Sequence, residues 1–336
     1  LYYSDPLLTN ISIIGNTAEG EPYGSGGGML LRYANPILAN VIISENYAVH
    51  ASGGMDLFYS NPILTNVTIN GNTANSYGAM GANRSDPTLT NVTISENTSG
   101  YYGGATVSLY ISEAIIKNTI IWNNMSASPW NVPLESLGIF YYPSEAEPPS
   151  ISYSDIQIID LDSEEYSIIQ QGTGNINENP LFNEPESGDY SLSWDNYPYE
   201  DETMSPCINA GTAYFEYEGE VIVDMPESEY YGSAPDMGAF ESEYTAIAGC
   251  SDPIATNYNP DAWIEEPCEY TGNYALDFDG IDDYATIADS DDWWFAGDDF
   301  AIQLWAKFDE YTSPYRPLVG QSAGGNRNLI NKRAND

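Results

Sequence analysis

NPILTNVTINGNTA, residues Asn61–Ala74, is the stretch on which the fold turns. Close copies start at Asp5 (DPLLTNISIIGNTA), Asn35 (NPILANVIISENYA) and Asp86 (DPTLTNVTISENTS), at successive spacings of 30, 26 and 25 residues. A degenerate fifth copy, EAIIKNTIIWNN, runs from Glu113. Apolar residues alternate over short runs, as at Val67 and Ile69 or Val92 and Ile94, which is the period of a strand and not of a helix. A Pro near each strand start and a Gly-rich run after it (Gly26, Gly27, Gly28; Gly53, Gly54; Gly103, Gly104) divide each copy into short strands and tight corners. A unit of this size cannot bury its own apolar face, so successive copies must stack.

Two columns of asparagine support the stacking. Asn10, Asn40, Asn66, Asn91 and Asn118 form one, and Asn16, Asn46, Asn72, Asn97 and Asn124 form the other, six residues further on. In a parallel stack equivalent residues lie roughly 4.8 Å apart, so side-chain amides hydrogen-bond along the column. Asn also tolerates the left-handed backbone that corners require. Five of these residues (Asn10, Asn66, Asn91, Asn97, Asn124) fall in N-glycosylation sequons, yet stacking accounts for them without sugar.

The units of form GGGM…NPxLTNVTIxxNTA resemble the right-handed parallel β-helix repeats of bacterial surface proteins, including polymorphic outer-membrane and adhesin-like solenoids. YSDIQ (Tyr153–Gln157), NINENPLF (Asn175–Phe182), GDYSL (Gly188–Leu192), SPCINAGT (Ser205–Thr212) and DMGAFE (Asp236–Glu241) resemble the segment that closes such helices. The expected organisation is therefore a repeat region over 1–124 and an irregular closing part over 125–243. The closing part should cap unpaired strand edges, and residues 125–149 should leave as a loop.

Composition narrows the functional classes. Eight Lys and Arg against 50 Asp and Glu give a net charge of −42, which repels nucleic acid and anionic membranes. No apolar run approaches the ~20 residues of a membrane span. His50 is the only histidine, so no Ser/His/Asp triad, Cys/His dyad or multi-His metal site can form. A lyase-like reaction would need an Arg or Lys base beside carboxylates, and the repeats offer only Arg32, Arg84 and Lys117. Arg32 and Arg84 occupy similar positions two turns apart. Asp5 and Asp86 sit beside the turn Pro where Asn stands in other copies, an interchange that points to turn capping. Catalytic residues are expected to be absent.

Three cysteines are too few for a disulfide-dense scaffold, but Cys250 and Cys268 would close a short loop in an oxidising compartment. Cys207 is left over as a small buried apolar residue. GCSDPIATNYNPDAWIEEPCEY (Gly249–Tyr270) resembles a short module that recurs between domains of large secreted bacterial proteins, which makes 244–271 a Cys-bounded linker. Asp252, Asp261, Glu265 and Glu266 within it match no EF-hand pattern and read as turn carboxylates. From 272 the pattern becomes antiparallel. ALDFDGIDDYATI (Ala275–Ile287) followed by DFAIQLWAKF (Asp299–Phe308) resembles the opening of a laminin-G-like, concanavalin-A-like jelly roll, of which 272–336 would be the first part of a β-sandwich.

That resemblance implies glycan or protein binding, with calcium as a possible cofactor. Trp293 and Trp294 would serve as a stacking platform for a sugar ring or as core, and Asp277, Asp279, Asp282 and Asp283 as calcium ligands or as hairpin-turn carboxylates. Both chain ends read as truncations. The expectation is an all-β, secreted or cell-surface bacterial protein without catalysis of its own, a stalk carrying an adhesive face for a glycan or surface protein. The alternative is part of a secreted polysaccharide-active lyase or glycoside hydrolase whose catalytic module lies elsewhere.

Overall fold

The computed structural model describes residues 1–20, 24–100, 105–126, 136–140, 145–158, 164–244, 248–260, 262, 264–270, 315–323 and 326–333. Residues Leu1–Gly272 form one compact unit and Asn273–Asp336 a second.

The first unit is a three-faced parallel solenoid. Its first face stacks Leu7–Ile14, Ile37–Ser44, Ile63–Asn70 and Thr88–Ser95, followed by the split strands Ile115–Lys117 with Ile120–Trp122 and Ser150–Ser152 with Asp155–Ile156. Register is strict: Leu38 lies on Leu8 and Leu64, and Leu64 on Leu89. The second face holds Thr17–Ala18, Tyr47–Ala51, Thr73–Ser76, Thr98–Ser99 and Met125–Ser126. The third holds Met29–Arg32, Met55–Phe58, Met80–Asn83, Val107–Tyr110 and Leu137–Phe140. Between the faces lies one apolar core that includes Leu38, Val41 and Ile43 and their equivalents Leu64, Val67, Ile69 and Leu89, Val92, Ile94.

Corners are made by single residues in the left-handed region. Asn10, Asn40, Asn66, Asn91 and Asn118 all have φ between 48° and 54°. The first four sit inside first-face strands, and Asn118 between two halves of one, and each resets the alternation, so that Leu38 and Val41, three residues apart, both point inward. The column Gly15, Glu45, Gly71, Glu96 and Asn123 does the same at the next corner, Gly26, Ser52 and Tyr77 at a third, and Tyr3, Tyr33, Tyr59, Arg84 and Ile111 at the last. Asn is the non-Gly residue that enters this region most easily, which is why it recurs at the most regular of the four.

The parallel stack extends further than the repeat pattern predicted. Leu137–Phe140 pairs with Val107–Tyr110, and Ser150–Ser152 with Ile115–Lys117, so parallel stacking continues past residue 124, as far as a bridge between Asp155 and Ile176. Part of the segment read as a loop, 125–149, is thus a strand of the third face. The helix Glu164–Gln171, which the sequence reading did not foresee, sends Ile169 into the solenoid core beside Ile151 and Ile158. The rest of the closing part lies along the outside of the first face. There Ile120, Leu192, Trp194, Cys207, Ile208 and Met237 form a second core. Ala239 N–H donates to Thr93 Oγ1 at 2.9 Å, and Asn118 exchanges two hydrogen bonds with Thr212. A hairpin, Tyr214–Tyr217 with Glu220–Asp224, covers Lys117, whose Nζ lies 3.9 Å from the Phe215 ring centre and donates to the hydroxyls of Ser150 and Ser152.

In the linker module Cys250 and Cys268 are joined by a disulfide with Cα atoms 5.0 Å apart. Ala248–Gly249 pairs with Ile264–Glu265 across the loop it closes. Of the second unit the described part is an antiparallel pair, Tyr315–Ala323 with Asn326–Arg333.

Candidate functional site

The two asparagine columns separate by role. In the second, each amide from Asn46 onward both gives and receives: Asn72 Nδ2 donates to Asn97 Oδ1 (2.9 Å) and to Ile43 O (2.8 Å), while its Oδ1 accepts from Asn46 Nδ2 (2.9 Å) and Asn46 N–H (3.0 Å). The chain runs from Asn16 to Asn124 without a gap. Glycines make room for it, since a Cβ on Gly28 would sit 2.9 Å from Asn46 Nδ2. In the first column only Asn66 and Asn40 are bonded to each other, at 3.3 Å, so its chief contribution is the left-handed corner.

A third ladder was missed as such. Asp5, Asn35, Asn61 and Asp86 each accept, through Oδ1, the backbone N–H of the equivalent residue one turn on, at 2.6–2.8 Å. The Asp/Asn interchange in the sequence was its signal, because this position requires an acceptor and nothing else.

The residues weighed for catalysis are dispersed. Arg32 pairs with Asp56 at 3.0 Å and Arg84 with Glu145 at 2.9 Å. The two arginines stand in neighbouring columns: Arg32 aligns with Phe58, and Arg84 follows Asn83 at the corner. Among the described residues no group of three or more His, Cys, Asp or Glu is arranged to hold a metal. Asp252 accepts from Ile254 N–H and the Tyr270 hydroxyl, which hold its carboxyl below the usual range and make it a turn residue. Trp293, Trp294, Asp277, Asp279, Asp282 and Asp283 lie outside the described residues.

What does form a recess is the outer side of the third face. Its outward positions are Leu30, Arg32; Asp56, Phe58; Gly81, Asn83; and Ser108, Tyr110, from four successive turns. Gly81 and Ser108 keep the floor low, and the space above is about 380 Å3. A Cβ on Gly81 would stand 2.7 Å from Ser52 Oγ and 3.1 Å from Tyr77 Cδ2, so the missing side chain is what admits both groups. Ser52 donates to Asp56 Oδ1 at 3.0 Å while Arg32 binds Oδ2 and lies over the Phe58 ring. Burial pushes the Asp56 carboxyl up, and Arg32 and Ser52 oppose that shift. Asn83 Oδ1 has no hydrogen-bond partner in the protein. A larger depression, about 560 Å3, is lined only by the consecutive residues Asn183–Ser187 and so offers a single wall.

Beside the recess Tyr3, Tyr33 and Tyr59 stack with ring centres 5.1 and 5.4 Å apart. Their faces cover one another, so this ladder stiffens the corner and leaves only rims to a ligand. In the closing part, Asp155 is buried against Cys207 (3.3 Å) and takes Glu178 N–H. Burial raises its pKa to about 7. Burial, together with Asp236 beside it, raises Glu241 to about 7. These carboxyls organise the closing part internally.

Stacked parallel strands, inward aliphatic columns and one-residue corners define the chain's main unit as a parallel β-helix. Residues 3–157 match the family model described as a right-handed beta helix region, which gives the hand of the coil. No curated protein and no solved structure matches the chain.

Proposed function

We propose that this chain is a non-catalytic, modular protein of the cell surface or extracellular space, in which the solenoid is a rigid stalk and its third face engages a glycan or surface protein. The observation that carries the reading is the recess over Gly81 and Ser108. It combines aromatic rims with an Arg32–Asp56 pair whose hydrogen-bonding capacity is only partly used, the pattern of a binding site. Its one carboxylate among the described residues is tied to an arginine with no second carboxylate beside it there, whereas glycoside hydrolysis uses two. The Cys250–Cys268 disulfide suits an oxidising compartment.

The test is a glycan array combined with a panel of immobilised surface proteins, probed with the whole chain, followed by product analysis on every glycan retained. Retention without new reducing ends or unsaturated products is expected. Turnover of any retained glycan would replace this reading with the polysaccharide-active one.

A further inference from the structure

We infer that the ligand of the third-face recess is an uncharged sugar segment of a glycan. The inference rests on the reading above that this recess is the binding site. Three features of the recess select the ligand's chemistry.

First, the polar groups suit hydroxyls. Asp56 uses one acceptor site on each oxygen, for Ser52 and Arg32, out of about four on a carboxylate. Arg32 gives one N–H to Asp56 out of the five a guanidinium carries. Spare donors and spare acceptors therefore lie side by side, which is what a vicinal diol, each hydroxyl both giving and receiving, requires. Asn83 stands on the same wall.

Second, the apolar groups suit the C–H face of a sugar ring. Tyr77 and Tyr110 stand in the lining on either side of the low floor at Gly81 and Ser108, with Phe58 next to the ion pair.

Third, charge and topology exclude the main competitors. Arg32 and Asp56 cancel locally, while the chain's net charge of −42 repels uronates and sulfated glycans from a distance. A peptide would bind most readily by adding a strand, yet Met55–Phe58 is already paired on both sides. The volume, about 380 Å3, lies near the small end of ligand sites and suits a short segment of a chain.

Calorimetry decides it. The whole 336-residue chain is titrated with neutral hexose oligosaccharides, with oligouronates of matched length and with basic and neutral peptides, at low and physiological salt. The same titrations are run on Asp56→Ala and Tyr110→Ala. Neutral oligosaccharides should bind, each substitution should weaken them by at least about fivefold, and oligouronates should bind less well, by a margin that narrows with salt. Hydrogen exchange on the unsubstituted chain should slow at residues 51–58 and 77–83 when the neutral sugar is present, a readout that stands even if a variant unfolds. Peptide binding lost in the two variants, with no sugar bound, would overturn the sugar assignment and keep the recess as the site. Equal or tighter binding of oligouronates would also overturn it. Sugar binding indifferent to both substitutions and without slowed exchange at those segments would overturn both readings, as would no binding of any ligand.

Discussion

Asparagine stands in three columns of this solenoid, and each column asks something different of it. At Asn72 the side chain must both give and receive inside the protein; at Asn61 it only receives, at an exposed corner; at Asn40 its chief task is to tolerate a φ of 54°. Substitution should separate them. Asn72→Asp places a carboxylate where a donor is needed and leaves Ile43 O and Asn97 Oδ1 unserved, so urea unfolding should show a loss of about 3 kcal/mol or more. Asn61→Asp, which copies what Asp86 already does, should stay within about 0.5 kcal/mol. Asn40→Gly should be nearly neutral while Asn40→Ala costs ~1 kcal/mol, because only the latter strains the left-handed corner. The positions of the columns were legible in the sequence, since they repeat with the strands. Their division of labour was not, because one residue type serves a buried amide ladder and a backbone bend, and φ leaves no mark on composition.

Where the closing part meets the first face, buried groups titrate near neutrality. Asp155 is raised from the ordinary 3.8 to about 7 by burial, so its contribution to stability is complete below pH 3.8 and is lost as pH rises through about 7. Asp155→Asn should therefore flatten the fall of unfolding free energy between pH 4 and 7.5 relative to the parent chain, measured by denaturant titration at each pH. Lys117 shifts the other way: burial lowers it from 10.5 to about 8. Keeping its ammonium under the Phe215 hairpin carries a cost that persists below pH 8 and is relieved as pH climbs toward 10.5. Lys117→Met should accordingly melt higher than the parent at pH 7, with the difference shrinking above pH 10. These elements were the least legible ones. EEYSIIQQ is one short helix without a basic last turn, and its role depends on Ile169 meeting a core built mostly by residues far before it in the chain. The recess was equally hidden, because the inward positions of the third face repeat while the outward ones, Arg32, Phe58, Asn83 and Tyr110, do not.

As a whole the first unit behaves as a one-dimensional stack of turns, each leaning on its neighbours. Burial rises along the first face: Leu7–Ile14 is largely exposed while Thr88–Ser95 is almost wholly buried. Native-state hydrogen exchange should be fastest in Leu7–Ile14 and slow steadily toward Thr88–Ser95, and equal protection across the four strands would contradict this account. Charge acts on the molecule at the same scale. With a net −42, raising salt from 0.01 to 0.15 M shortens the screening length from about 30 to 8 Å and should raise the melting temperature.

The left-handed corners also amount to a ruler. Between the last corner and the asparagine corner the count is seven residues in every turn (3 to 10, 33 to 40, 59 to 66, 84 to 91, 111 to 118). To the next corner it is five in every turn (10 to 15, 40 to 45, 66 to 71, 91 to 96, 118 to 123), and from the third corner back to the last it is seven (26 to 33, 52 to 59, 77 to 84). The remaining interval alone stretches, from 15 to 26, from 45 to 52 and from 71 to 77. Turns of unequal length thus share one metric, and over these three turns the surplus leaves the coil along a single edge; further on a second surplus appears, with ten residues from Phe140 to Ser150 against five from Tyr110 to Ile115. Added or deleted sequence at that edge shifts no rung of the amide ladder and no column of the core. It is where a chain of this kind can vary its surface while its interior remains unchanged.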